Sequence, residues 1–137
     1  MSDRIGDAAA AKTEVTDFKL QNRCAAAAKR YYRAIHVPDG RSRIGFGSNY
    51  NPAMGGCFLT YHVAWSSAGS VFHKTVIVSP VRRFVDGNCV LAQKSARGQV
   101  ATCWVWWHGR LVRNLTSDAF REYRARFMGA PMGVAGE

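Results

Sequence analysis

Two pairs, Cys57-x4-His62 and Cys103-x4-His108, place a thiol and an imidazole at the same spacing, and the chemistry they suggest first is metal binding. Zinc takes both ligand types, but its structural sites usually begin from cysteines about two to four residues apart. Each pair here lies in a run with strand periodicity, where such a spacing turns the two side chains to opposite faces, so neither pair shares an ion unless a bulge intervenes. The expectation is no metal and no cofactor, with the cysteines in the core and the histidines exposed or hydrogen-bonded. Nucleophilic catalysis needs an electropositive, partly exposed thiolate beside an oriented base. No Cys-x-x-Cys and no protease-like or oxidoreductase-like string surrounds any of the four cysteines. The acidic residues are scattered, and several fit capping or turn roles, so no carboxylate pair is visible either. No catalytic residue is assigned, and a small hydrolase-like or Cys-dependent enzyme ranks behind two binding readings.

Disulfide chemistry remains for the cysteines. If the turn between the strands carrying Cys89 and Cys103 has three or five residues centred on Ala96, the two lie directly opposite and within reach of a bridge. A turn of two or four residues offsets them by one and leaves buried thiols. A chain of this length buries roughly two-thirds of its unfolded surface, so bridges would reinforce a core and not replace one.

Charge and aromatics point to binding. A net charge of +10, from 19 Lys and Arg against 9 Asp and Glu, attracts phosphate-rich or acidic partners. Trp104-Val105-Trp106-Trp107 is apolar on both strand faces. Val100, Thr102, Trp104 and Trp106 share one face, flanked by Arg82, Arg83, Arg97, Arg110 and Arg113. That face reads as core under a helix, as a homodimer interface, or as an open platform for stacking nucleic-acid bases, with burial favoured. Arg43-Ile44-Gly45-Phe46-Gly47 partly matches the basic-Gly-aromatic-Gly string of RNA-recognition strands, but carries an extra Ile and no strand pattern after Ser48. Tyr50, between Asn49 and Asn51, is either a contact residue or a plug for its loop, since Asn side chains readily bond nearby backbone.

The elements that must position these groups follow from periodicity. Residues 1–12 read as a flexible lead-in. A helix capped by Thr16 or Asp17 carries Leu20, Cys24, Ala27 and Tyr31 on one face and ends at Val37-Pro38-Asp39-Gly40. Residues 37–56 read as a long Gly-rich loop. Strands are expected from Cys57, with Leu59, Tyr61, Val63 and Trp65 on one face and Phe58, Thr60, His62 and Ala64 on the other; from Val71 to Ser79, extending toward Val85; from Cys89 to Lys94; from Gln99 to Trp107; and from Arg110 to Leu115. Asp86-Gly87-Asn88 and His108-Gly109 read as turns. A terminal helix starts at Thr116 or Ser117, buries Phe120, Tyr123 and Phe127, and stops at Gly129. The fold class is α+β: an N-terminal helix, an antiparallel meander of four to five strands and a C-terminal helix, both helices on one sheet face. One domain is expected over 13–129, with 130–137 a flexible tail.

Leu20-Gln21-x-x-Cys24, Ser48-Asn49-Tyr50-Asn51-Pro52 before Cys57-Phe58, Cys103-x-Val105, and Ser117-x-x-x-Phe120-x-x-Tyr123-x-x-x-Phe127-Met128 resemble the pattern of a group of small bacterial proteins of unknown function. That group has a helical Cys, a His-Tyr-Asn segment before a Cys-Phe strand, and a terminal helix ending in an aromatic-Met pair; Ser48-Asn49 stands here where the group has His. The likeness spans roughly residues 18–128. It implies export and a bridge between Cys24 and Cys57, and it supplies no activity. Cys24 on the helix stripe and Cys57 beside Leu59 and Tyr61 can both look into one helix-sheet interface, which makes that bridge geometrically reasonable.

No run approaches the ~18 apolar residues of a spanning helix, and no export signal is visible. The compartment is periplasmic or extracellular if a leader has been removed and cytoplasmic otherwise. The reading is a non-enzymatic domain that binds a protein or envelope component, with nucleic acid as the rival. Its candidate contacts are Tyr50, Asn49, Asn51, Trp104, Trp106, Arg82, Arg83 and Arg110.

Overall fold

The computed structural model describes residues 2–94 and 98–129, with side chains described for 17–93 and 98–129. Helix α1 (Ser2–Ala34) is followed by β1 (Ser42–Asn51), β2 (Gly56–Ser67), β3 (Ser70–Ser79), β4 (Phe84–Lys94), β5 (Gln99–Trp107), β6 (Arg110–Leu115) and α2 (Ser117–Phe127). The six strands form one antiparallel sheet in sequence order. The α+β meander is therefore as expected in kind, with one strand more than expected.

That extra strand is β1, which occupies the segment read as a loop. Its periodicity is hidden because it is an edge strand containing Gly45 and Gly47, whose missing side chains leave open space, and because a register shift interrupts it between Arg43 and Gly45. Helix α1 begins at Ser2, so Thr16 and Asp17 lie inside it and cap nothing. The Ala8–Ala11 run, read as too featureless for structure, has the highest intrinsic helix propensity of any residue type. Residues 130–137 lie outside the described residues.

Asp86-Gly87-Asn88 is not a turn but the body of β4; the chain reverses instead through Pro80–Arg83, where Arg83 takes φ 56°. Glycine is needed at 87 for closeness and not for turning. A Cβ there would stand 3.0 Å from Val105 Cγ1, 3.2 Å from Ile77 Cδ1 and 3.3 Å from Phe120 Cε2. Ala68-Gly69 and His108-Gly109 have positive φ at both positions, the type I′ geometry whose twist suits tight hairpins, and they join β2 to β3 and β5 to β6.

The two helices cover opposite faces, which corrects the expectation that they share one. Consecutive β2 residues point to opposite sides: Cys57 is bonded to Cys24 of α1, while Phe58 meets Phe127 of α2 at 5.1 Å between ring centroids. Since β2 buries both Leu59 and Phe58, one helical layer could not have served it. On the α2 side Phe58, Ile77, Cys89, Cys103 and Val105 pack with Phe120 and Phe127. Thr116 caps α2, accepting from the Ala119 N–H at 3.1 Å, and Gly129 at φ 80° follows its end.

Both cysteine pairs are bridged and no described cysteine is free. Cys24–Cys57 ties α1 to the start of β2 across a Cα separation of 5.3 Å. Cys89 and Cys103 are register partners on β4 and β5, with Cα atoms 4.0 Å apart. The bridges remove every thiolate from the Cys-x4-His pairs.

Candidate binding face and cleft

Strand β5 presents two different surfaces. Toward α2, Cys103 is 2% exposed and Val105 fully buried; away from it, Val100 is 67% and Trp106 37% exposed, with Thr102 exposed and Trp104 half-buried. Helix α1 lies on β1 and β2, and α2 packs on β4, β5 and β6 from the other side. Among the described residues no helix covers the outer face of β5 and β6. There Trp104, Trp106, Thr102, Leu111 and Arg113 line a groove of about 400 Å3. Arg113 falls beside the tryptophans because a register shift opposite Trp104 and a positive φ at Asn114 reset β6.

At the end of the sheet the apolar surface continues. Phe84, 43% exposed, packs against Trp106 with ring centroids 6.3 Å apart, and Val81 at the β3–β4 reversal is 71% exposed. Both residues, with Trp106, also line a cleft of about 630 Å3 that reaches α1 and the Cys24–Cys57 bridge. Its acid is Asp86, 4% exposed, which accepts from the Ser79 hydroxyl at 2.6 Å; Ser79 in turn accepts from Arg82 at 3.2 Å. Burial pushes the Asp86 carboxyl above its ordinary range, while the Ser79 bond and the nearby Arg82 charge work in the opposite direction.

The charge of the strand-bearing stretch of sequence is one-sided. Between residues 40 and 117 the chain has nine Lys and Arg (Arg41, Arg43, Lys74, Arg82, Arg83, Lys94, Arg97, Arg110 and Arg113) and one acid, Asp86. A second, more polar cleft of about 780 Å3 is lined by Arg30, His36 and Arg83 together with Tyr31 and Tyr61. The Tyr61 hydroxyl is pushed up by burial first and by Tyr31 second.

Of the residues singled out from sequence, Tyr50, Arg82 and Trp106 meet in the first cleft, and Trp104 joins Trp106 in the groove. Arg83 turns to the polar cleft, and Arg110 stands opposite Trp107 at the β5–β6 turn. Arg97 lies outside the described residues. Asn49 and Asn51 serve the fold: Asn49 Nδ2 donates to the Met128 carbonyl at 2.7 Å, and Asn51 Nδ2 donates to the carbonyls of Arg126 and Phe127 at 2.8 and 3.1 Å. These bonds satisfy carbonyls at the end of α2 that have no partner within the helix. Phe46 of the RNA-recognition-like string stacks on Tyr32 of α1 at 4.4 Å, a position already taken by protein.

Sequence reasoning placed Gln21 in the motif before Cys24 and gave it no role. Its side-chain amide donates to the Tyr50 carbonyl at 2.7 Å and accepts from the Tyr50 N–H at 2.9 Å, pairing with the outer edge of β1 as a neighbouring strand would. A glutamine on a helix gives no local sign of such a partner. Comparison of the chain with protein-family models, curated proteins and solved structures finds no match.

Proposed function

We propose that this domain is a non-enzymatic binding module whose outer face on β5 and β6 docks an acidic protein partner, soluble or part of the cell envelope. The observation that carries the reading is the contrast along β5, where one side is covered core and the other leaves Trp106 and Leu111 exposed beside Arg113, with Val100 exposed farther along the same strand face. Clustered apolar exposure of this kind marks interaction sites more often than scattered single residues do. Tryptophan and arginine are also the side chains most enriched at binding hot spots. Arg113 in the groove, within a stretch of the chain that carries nine cations against one buried acid, supplies the complement to an acidic surface.

The disulfides favour protein over nucleic acid. Bridges persist in oxidising compartments outside the cytosol, the setting in which an exported protein meets other proteins and envelope components. One observation favours the second reading: Trp104 and Trp106 alternate on an open strand with Arg113 beside them, the elements of a base-stacking platform.

Photo-crosslinking in the cells that make the protein separates the readings. A benzophenone side chain at Val100 is expected to capture a protein, and Arg113→Glu to abolish the adduct. The same group at Phe18, equally exposed on α1, is expected to capture nothing specific. A nuclease-sensitive adduct at Val100 would establish the nucleic-acid reading, and equal capture at both positions would remove the face as a specific site.

A further inference from the structure

The cleft beside the Cys24–Cys57 bridge goes beyond the docking face. Its volume of about 630 Å3 falls within the ~300–1,000 Å3 of small-molecule sites. Much of its wall is apolar, formed by Leu20, Met54, Phe58, Val81, Phe84 and Trp106, with Phe127 deeper in the core. Two guanidinium groups, Arg23 of α1 and Arg82 of the β3–β4 reversal, belong to the same lining.

The polar groups are unequal in what they leave free. Asp86 is buried, receives the Ser79 hydroxyl, and is thereby occupied within the fold. Arg82 gives one N–H to Ser79, and a guanidinium carries five donors in all. Arg23 is exposed and makes no ion pair among the described residues. The cleft therefore combines an apolar body with cationic donors left over, and its one acid is already hydrogen-bonded. An arginine fork matches a carboxylate in a bidentate manner.

We propose that this cleft binds an amphipathic carboxylate, an apolar chain bearing one acid group, with the chain against Leu20, Val81, Phe84 and Trp106 and the carboxylate held by Arg82 and Arg23. The apolar wall supplies affinity through area removed from water, and the guanidinium groups select the anion over a neutral or cationic head. Binding is reversible and changes no bond.

Calorimetric titration of the full chain tests this with three probes that share a tail, dodecanoate, dodecanol and dodecyltrimethylammonium, below their micelle concentrations. Dodecanoate is expected to bind, with the alcohol weaker by roughly tenfold or more and the cation weaker still, as loss of a charge-assisted contact implies. Arg23→Gln with Arg82→Gln is expected to bring dodecanoate down to the level of dodecanol. Val81→Glu changes only an exposed turn side chain and is expected to weaken dodecanoate in a protein of unchanged melting temperature. Arg113→Glu, on the docking face, is expected to leave dodecanoate binding intact while removing the protein crosslink, so the two proposals fail separately. Dodecanol binding as tightly as dodecanoate, no heat with dodecanoate, or full affinity in Val81→Glu each overturns the carboxylate site.

Discussion

The two sides of β5 differ sharply in exposure. Cys103 and Val105 on one side are sealed by α2 and by a bridge to Cys89; Val100, Thr102 and Trp106 on the other meet solvent. Both sides are apolar in sequence, so hydrophobicity alone does not distinguish core from contact surface. What distinguishes them is the supply of covering layers. Among the described residues there are two helices, α1 lies over β1 and β2 on one face, α2 lies over β4–β6 on the other, and neither covers the α1-side face of β5 and β6. An apolar strand face that its own fold leaves uncovered is where an interaction surface belongs.

Truncation on each side should break the symmetry most visibly. Phe127→Ala removes a ring that is 1% exposed and packed edge-on to Phe58 and Trp107, and is expected to cost about 3–5 kcal/mol in denaturant unfolding. Trp106→Ala, on the open side, should cost under about 1 kcal/mol while removing partner capture. Comparable losses from both would mean that the open face is core. Replacing Cys89 and Cys103 together by Ala should destabilise by about 3 kcal/mol, the chain-entropy figure for a loop of this size, leaving the outer face competent to bind. Gly87→Ala should cost about 1–3 kcal/mol by crowding Val105, Ile77 and Phe120, and a variant of unchanged stability would show that the packing between the sheet and α2 is loose.

The smallest effects are electrostatic and separate the two sides by pH. On the α2 side, His62 faces Thr75 at 3.0 Å, and burial first, then Arg124 and His73, hold its imidazole below the ordinary value of 6.5. The unfolded chain then takes up a proton at a pH where the folded chain does not, so stability is complete above 6.5 and declines as pH falls toward the folded value. His62→Gln should flatten that decline. Asp86 works in reverse, because its raised carboxyl favours the folded state in acid and loses that contribution as pH rises through its titration. Asp86→Asn, which can keep an acceptor for Ser79, should therefore match or exceed wild-type stability at neutral pH and fall to parity in acid.

Much of this was legible in the sequence because it rests on local rules. The alternation from Cys57 to Trp65, a cap at Thr116 or Ser117 and the His108-Gly109 turn each depend on residues close in the chain, whereas the opposition of Cys89 and Cys103 was one of two registers the sequence left open, decided by the turn length. What was not legible depends on distant partners. Gly87 reads as a turn until Phe120 is placed over it. Asn49 and Asn51 read as loop contacts until the end of α2 arrives at their amides. The cleft was half visible: Trp106, Arg82 and Tyr50 were named, but Val81, Phe84 and Arg23 join them only through the Pro80–Arg83 reversal and the disulfide-tethered helix.

The central claim, that the outer face of β5 and β6 recognises an acidic protein and not nucleic acid, is tested most directly by tryptophan fluorescence titration at two salt concentrations, about 50 and 200 mM, a range over which phosphate-dominated binding falls steeply. The probes are a glutamate–tyrosine copolymer and oligothymidine, each titrated into the wild-type chain and into Trp106→Ala with Arg113→Glu. The account predicts tighter binding of the copolymer, a shallow salt dependence set by a few rim arginines and an apolar contact, and loss of that binding in the double variant. Tighter binding of oligothymidine with a steep salt slope, or a double variant that still binds the copolymer as the wild type does, would contradict it.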